Sequence, residues 1–281
     1  MKKQVILLAA VVLFCAAGLV QAQEDPLGVT ADATWVSKYL WYGFDLLDDK
    51  GAFQPSVDVD LFGSGFSLNV WSSYPTAVGD MNKGGGAAGT SRVDATEFDY
   101  TLAYSTVICE GEPHATYITA QGIYYDFIDI PSQAADAEEI GVQLTWPNVS
   151  PTGDVTPGYY ISRIWPAKSG KPRAGKDDLI PGDYAGWIHV FSLGYDLTVP
   201  GLLPETPEQT FNLSVATVYN DGFAGGTVDH DWSHAVFGAS TDFELAENFN
   251  VTPGIYYQSS WDDTVNSEDE LWISLGASYK F

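Results

Sequence analysis

Beyond residue 22 the sequence shows no stretch with helical period; instead, twelve runs alternate apolar and polar residues at steps of two. Side chains of an extended strand point to opposite faces at each step, so these runs predict strands with one apolar and one polar face. The last run, Glu270 to Phe281, shows the pattern most plainly. Leu271, Ile273, Leu275, Ala277, Tyr279 and Phe281 share one face, and Trp272, Ser274, Gly276, Ser278 and Lys280 share the other. The other strands are predicted over 27–41, 53–62, 66–74, 97–108, 115–128, 139–149, 158–165, 187–199, 210–220, 232–245 and 250–261, between clusters of Gly, Pro, Asp and Asn.

The connections fall into two classes. Those after odd-numbered strands are long, with Thr76–Thr96 and Ala167–Gly186 the extremes, and those after even-numbered strands are short. Membrane β-barrels of the outer-membrane type have short turns at one end and long loops at the other. An antiparallel sandwich also alternates, so the tryptophans are needed to discriminate. Trp41, Trp71, Trp165, Trp187, Trp232, Trp261 and Trp272 all fall near the long-loop end of a predicted strand. An indole favours a membrane interface, where the ring is in an apolar layer and the N–H stays wet. These seven are expected to form an aromatic girdle.

The first residues, Met1-Lys2-Lys3, an apolar run from Val5 to Val20 and a small-residue pattern ending at Ala22, predict a cleaved secretory signal peptide over 1–22 and a barrel domain over 23–281. Its loss would take the net charge from −25 to −27 and leave Cys109 as the one cysteine, so no internal disulfide is expected. Such an acidic chain has no electrostatic affinity for nucleic acid. With 45% hydrophobic residues it is no acidic disordered chain either.

The terminal strand, with Phe281 last and Tyr279 two residues before it, resembles the closing strand of bacterial outer-membrane β-barrels. That resemblance implies that Tyr279 and Phe281 are the signal read by the barrel-assembly machinery. Near the start, Ser37-Lys38-Tyr39-Leu40-Trp41-Tyr42-Gly43 resembles an S-x-Y-x-x-R-G element. Gly51, Gln54-Pro55, Asp58, Gly63-Ser64-Gly65-Phe66, Trp71-Ser72-Ser73 and Glu97-Phe98-Asp99-Tyr100 follow. Together these are similar to the TorF-type porins, which implies an outer-membrane barrel. Tyr42 stands where that family has Arg, so the role of that cation does not carry over.

On the barrel reading, Asp32, Lys38, Asp58, Asp60, Glu97, Asp99, Asp126, Glu139, Asp196, Asp242 and Lys280 point into the lumen, because charge facing lipid is costly. A mostly acidic lumen would favour cations or small cationic solutes. Alternatively, the acids pair with Lys38, Arg163 and Lys280 or with hydroxyls in a plugged lumen. Three acidic sets lie in long loops: Asp45, Asp48 and Asp49; Asp177, Asp178 and Asp183; and Asp262, Asp263, Glu268 and Asp269. None has the D-x-D-x-D-G spacing of a calcium loop, so solvated loop tips are expected and no metal site is assigned, though such acids could bridge to lipid phosphates through divalent ions. Neither G-x-S-x-G nor H-E-x-x-H occurs. Ser233 and His234 are adjacent and so expected on opposite faces, and His189 faces outward beside aromatics, so no enzymatic activity and no cofactor are expected.

The reading is therefore all-β: a single transmembrane antiparallel up-and-down β-barrel of about twelve strands. The expected function is a narrow porin-like channel for small solutes or cations in a bacterial outer membrane, with lipid and the assembly machinery as partners. A closed structural or adhesive barrel and a secreted β-sandwich binding glycans are the alternatives.

Overall fold

The computed structural model describes residues 27–76, 96–128, 132–167, 185–201, 206–224, 228 and 230–281. The expected leader, the glycine run 84–86 and the acids Asp177, Asp178 and Asp183 lie outside them. The strands are β1 (Gly28–Val36), β2 (Leu40–Trp41), β3 (Phe44–Asp45), β4 (Ala52–Asp60), β5 (Phe66–Pro75), β6 (Glu97–Ile108), β7 (Thr116–Phe127), β8 (Ala137–Thr145), β9 (Val155–Pro166), β10 (Gly186–Pro200), β11 (Glu208–Asp221), β12 (His230–Thr241), β13 (Phe243–Ala246), β14 (Phe249–Ser260) and β15 (Glu270–Lys280). A single helical turn, Ser132–Ala135, precedes β8.

Apart from the small β2–β3 hairpin, the strands pair antiparallel in chain order, β12 and β13 both pair with β14, and β15 pairs with β1. The sheet therefore closes on itself. Because β12 and β13 are one strand interrupted at Asp242, the ring has twelve strands. Among the described residues the ring has no second large sheet to pack against, which removes the sandwich alternative. Closure also leaves no unpaired edge.

The apolar faces point out of the ring. Leu102, Ile140 and Leu271 are 51%, 57% and 58% exposed. Register carries this row across strand after strand: Val57 opposite Val70, Leu68 opposite Leu102, Phe237 opposite Tyr257, and Leu275 opposite Trp35. A soluble monomer does not expose a continuous apolar surface of this extent. At the short-turn end the chain reverses through compact turns, one of which holds Cys109 at a φ of 54°, exposed and unpaired by any disulfide.

Four differences from the sequence reading matter. The first strand ends at Val36, not Trp41, and the chain from Ser37 to Gly51 turns into the lumen. Trp41 therefore lies inside the ring. Trp71 and Trp272 also face inward, because their neighbours Val70, Leu271 and Ile273 take the outward positions. Trp71 meets Tyr39, and Trp272 stacks on Tyr256 at 5.3 Å between ring centres. Asp126 faces outward, since Tyr125 beside it is buried in the lumenal core. Arg163 likewise faces outward, its guanidinium 5.6 Å from the Trp187 ring centre, so it pairs with no lumenal acid.

Candidate functional site: a loop folded into the lumen

The feature that decides what this barrel can do is the loop between β1 and β4. Its core is a minimal hairpin in which Leu40 pairs with Asp45 and Trp41 with Phe44. The two turn residues, Tyr42 and Gly43, have φ of 47° and 92°. Positive φ at both central positions is the type I′ geometry that suits the twist of a tight hairpin. Gly43 is required twice over, because a Cβ there would lie 2.5 Å from Nδ1 of His234.

The hairpin carries apolar side chains into a core that the barrel wall completes. Phe44 is buried with Tyr125, Ala137, Ile164, Ile188, Val218, Phe223, Val228 and Val265, and Trp41, Tyr42 and Leu46 pack against them. Phe223 is fully buried and meets the rings of Trp41, Tyr42 and Phe44 edge-on at 5.2, 6.1 and 6.0 Å. Such pairs each add about 0.5–1.5 kcal/mol beyond the area they bury. A second small core of Val36, Leu47 and Ala52 fixes the base of the loop.

Polar contacts tie the loop to the wall all round. Tyr42 donates to Oε1 of Glu139 at 2.9 Å, Tyr125 donates to Oε2 of the same carboxylate at 2.5 Å, and Tyr160 donates to it as well. Among the described residues Glu139 thus takes its donors from three phenols and no cation. Tyr39 donates to Oε2 of Glu97 at 2.9 Å. Burial, with the nearby carboxylates, holds the Tyr39 and Tyr42 phenols well above their ordinary pKa, so both stay protonated as donors. On the other wall Gln258 donates to the Gly43 carbonyl at 3.0 Å. Lys38 bridges Asp49 and Glu270, the second at 2.5 Å, and Asn266 donates to the other oxygen of Glu270 at 3.2 Å. Burial works against the charge on Lys38, but the two carboxylates outweigh it and hold the ammonium above the ordinary lysine value.

The hairpin and its flanks cross the lumen at the long-loop end and touch residues on walls all around the ring. At the short-turn end the lumenal wall carries two hollows. A cavity of about 380 Å³ there is lined by Ser105, Val107, Tyr117, Thr119, Gln143 and Thr145 on one wall. On the other, a space of about 260 Å³ lies among Glu208, Thr210, Asn212, Asp242 and Glu244.

Of the residues singled out by sequence, Asp32, Asp58, Asp60, Glu97, Asp99, Glu139, Asp196 and Asp242 occupy lumenal positions in the register, as does Lys280. Lys38 stands in the loop, not on a strand. Trp165, Trp187, Trp232 and Trp261 face outward near the long-loop end, joined by Trp35, which an over-long first strand conceals. Trp232 owes its outward position to a bulge: Val218 opposes His234 but Tyr219 opposes Trp232, leaving Ser233 extra. The same bulge brings Ser233 Oγ within 2.9 Å of His234 Nδ1, contrary to the expectation that they face apart. Both are buried, and the Ser233 hydroxyl donates to the Val218 carbonyl at 3.2 Å. Ligand oxygens of Asp45, Asp49 and Glu270 lie within 4.8 Å of one another, but Lys38 already neutralises two of the three. Sequence reasoning misses Glu270 and the phenols of Tyr39, Tyr42, Tyr125 and Tyr160 as a network, because strand alternation reveals a face but not what folds against it.

No protein-family model matches the chain, and no curated protein matches it. Among solved structures it is similar to the NanC porin, at 10% identity over 90% of this chain and 100% of that one, with a TM-score of 0.49. It is also similar to the KdgM porin solved in complex with disordered oligogalacturonate, at 8% identity, 90% and 99% coverage and a TM-score of 0.48. A third is the COG4313 outer membrane channel from Pseudomonas putida F1, at 8% identity, 94% and 98% coverage and a TM-score of 0.48. At these values the likeness carries no argument about function, and the closed ring rests on its own strand pairing.

Proposed function

We propose that this chain is a bacterial outer-membrane porin-like protein: a narrow channel for small solutes or cations, with an acidic lumen, closed at its outer mouth in the resting state by the loop 37–51. The observation that carries this reading is the inversion of faces around a closed ring, apolar side chains outside and carboxylates within. An apolar belt encircling a barrel is matched to lipid, and the outward tryptophans mark its upper border. Orientation follows from the connections, with long loops outside the cell and short turns in the periplasm. The lumenal acids favour cations over anions, because field lines concentrate in a narrow low-dielectric passage.

Planar-bilayer recording tests the reading. Wild-type protein is expected to conduct rarely, and a variant with residues 39–49 replaced by a short Gly-Ser link to conduct steadily with cation preference. A silent or anion-selective loop variant overturns it. Recovery as a soluble periplasmic protein, in place of an outer-membrane fraction with heat-modifiable gel mobility, overturns the compartment. The depth of the aromatic core around Phe223 favours a second reading, a permanently closed structural barrel, in which wild-type protein never opens at any voltage.

A further inference from the structure

Most buried carboxylates of the lumen are accounted for by donors from the chain. Glu139 has three phenols, and Glu270 has Lys38 and Asn266. Glu97 and Asp99 differ. They sit two residues apart on the lumenal face of β6, and Glu97 is only 2% exposed. Tyr39 satisfies Oε2 of Glu97, but Oε1 of Glu97 and Oδ1 of Asp99 are buried with no hydrogen-bond partner. Directly opposite Glu97 in the register stands Ser73 of β5, also 2% exposed, and its Oγ is a third buried oxygen with no partner. Among the described residues neither carboxylate has an ion pair.

Leaving a buried polar atom unpaired costs about 1–3 kcal/mol, and more for a charged one. Two of these three atoms stand on directly facing positions and the third two residues along β6, in a lumen where Glu139 and Glu270 are fully paired. All three are oxygens, two from carboxylates, the donor chemistry of a hard divalent cation. Trp71 stands opposite Asp99 in the register, and its ring centre lies 5.8 Å from that of Tyr39. We propose that Glu97, Asp99 and Ser73 form a divalent-cation site in the lumen wall, of the calcium or magnesium class. Through Tyr39 the site is tied to the in-folded loop, so an occupied site braces the plug. This goes beyond the channel reading and does not depend on it, since a barrel that never conducts can still bind the ion.

Terbium luminescence on the refolded mature protein in detergent tests it, with Trp71 as the sensitising donor. The wild-type protein is expected to give saturable emission that calcium displaces. Glu97→Gln and Asp99→Asn each weaken terbium binding by at least about tenfold, and Ser73→Ala weakens it by a smaller factor. Trp71→Phe dims the emission reached at saturation. The control Asp263→Asn/Glu268→Gln, which removes two loop acids outside the cluster, leaves both signals as in wild type. Absence of calcium-displaceable emission in wild type overturns the site, as does its persistence in the Glu97→Gln/Asp99→Asn double variant. Heat-modifiable mobility reports whether each variant has folded. Should the carboxylate variants fail to fold, unchanged affinity in Ser73→Ala overturns the proposal on its own.

Discussion

At the scale of single residues, the turn of the inward hairpin is the point where the fold has least freedom. Gly43 has a φ of 92°, and its α-carbon faces the imidazole of His234. Gly43→Ala meets both obstacles. The backbone strain alone is about 1–2 kcal/mol, and the steric clash adds to it. The expected result is a destabilised plug, read as more frequent channel openings and a lower melting temperature. His234→Ala in the same background should relieve the steric part and leave the backbone part. Tyr42 offers a milder test. Tyr42→Phe removes one of three phenols from Glu139, a loss of about 1.5–3 kcal/mol for a bond to a charged group. The stability read by denaturant unfolding should fall by a value in that range, with Tyr42→Ala costing more because the ring also packs on Phe223.

The loop as an element has a latch at its base, and the latch has a definite pH dependence. Lys38 holds Asp49 and Glu270, and its ammonium is stabilised above the ordinary lysine value of 10.5. A cation whose folded pKa is raised contributes stability that is fully present below the unfolded value and fades as pH rises through the folded one. Conductance should therefore be insensitive to this pair at neutral and mildly alkaline pH, and rise only in strong alkali. Lys38→Met should open the channel at neutral pH; if its open probability equals that of wild type, the latch has no such role. Such an element leaves little trace in sequence. Strand positions announce themselves by alternation, and the barrel strands are legible to within a few residues at most ends. The hairpin has only two residues per arm, too few to show a period, and Tyr-Gly replaces the Asn-Gly or Asp-Gly that marks a type I′ turn. Its aromatic residues therefore pass for the end of a long first strand. Trp71 and Trp272 mislead for a related reason: closeness to the border of a strand says nothing about which face a residue takes.

For the whole molecule, the closed ring and its two unlike ends make a statement about orientation. Cys109 is exposed in a short turn and, after loss of the expected leader, the one thiol of the chain. A maleimide too large to cross the outer membrane should leave intact cells unlabelled and label them once the membrane is permeabilised. Labelling of intact cells would reverse the proposed topology. Removal of Phe281, whose ring lies 4.9 Å from that of Tyr279 on the outward face, should reduce insertion without changing the conductance of molecules that do insert.

The plug also constrains the order of events during biogenesis. It grows from β1, beside the seam with β15, yet most of its apolar partners belong to β7 through β11 across the ring. A nascent barrel can seat its stopper only once that far side exists, so sealing is a late step. Newly inserted molecules should leak briefly before they fall silent, a lag that time-resolved dye efflux from proteoliposomes would reveal.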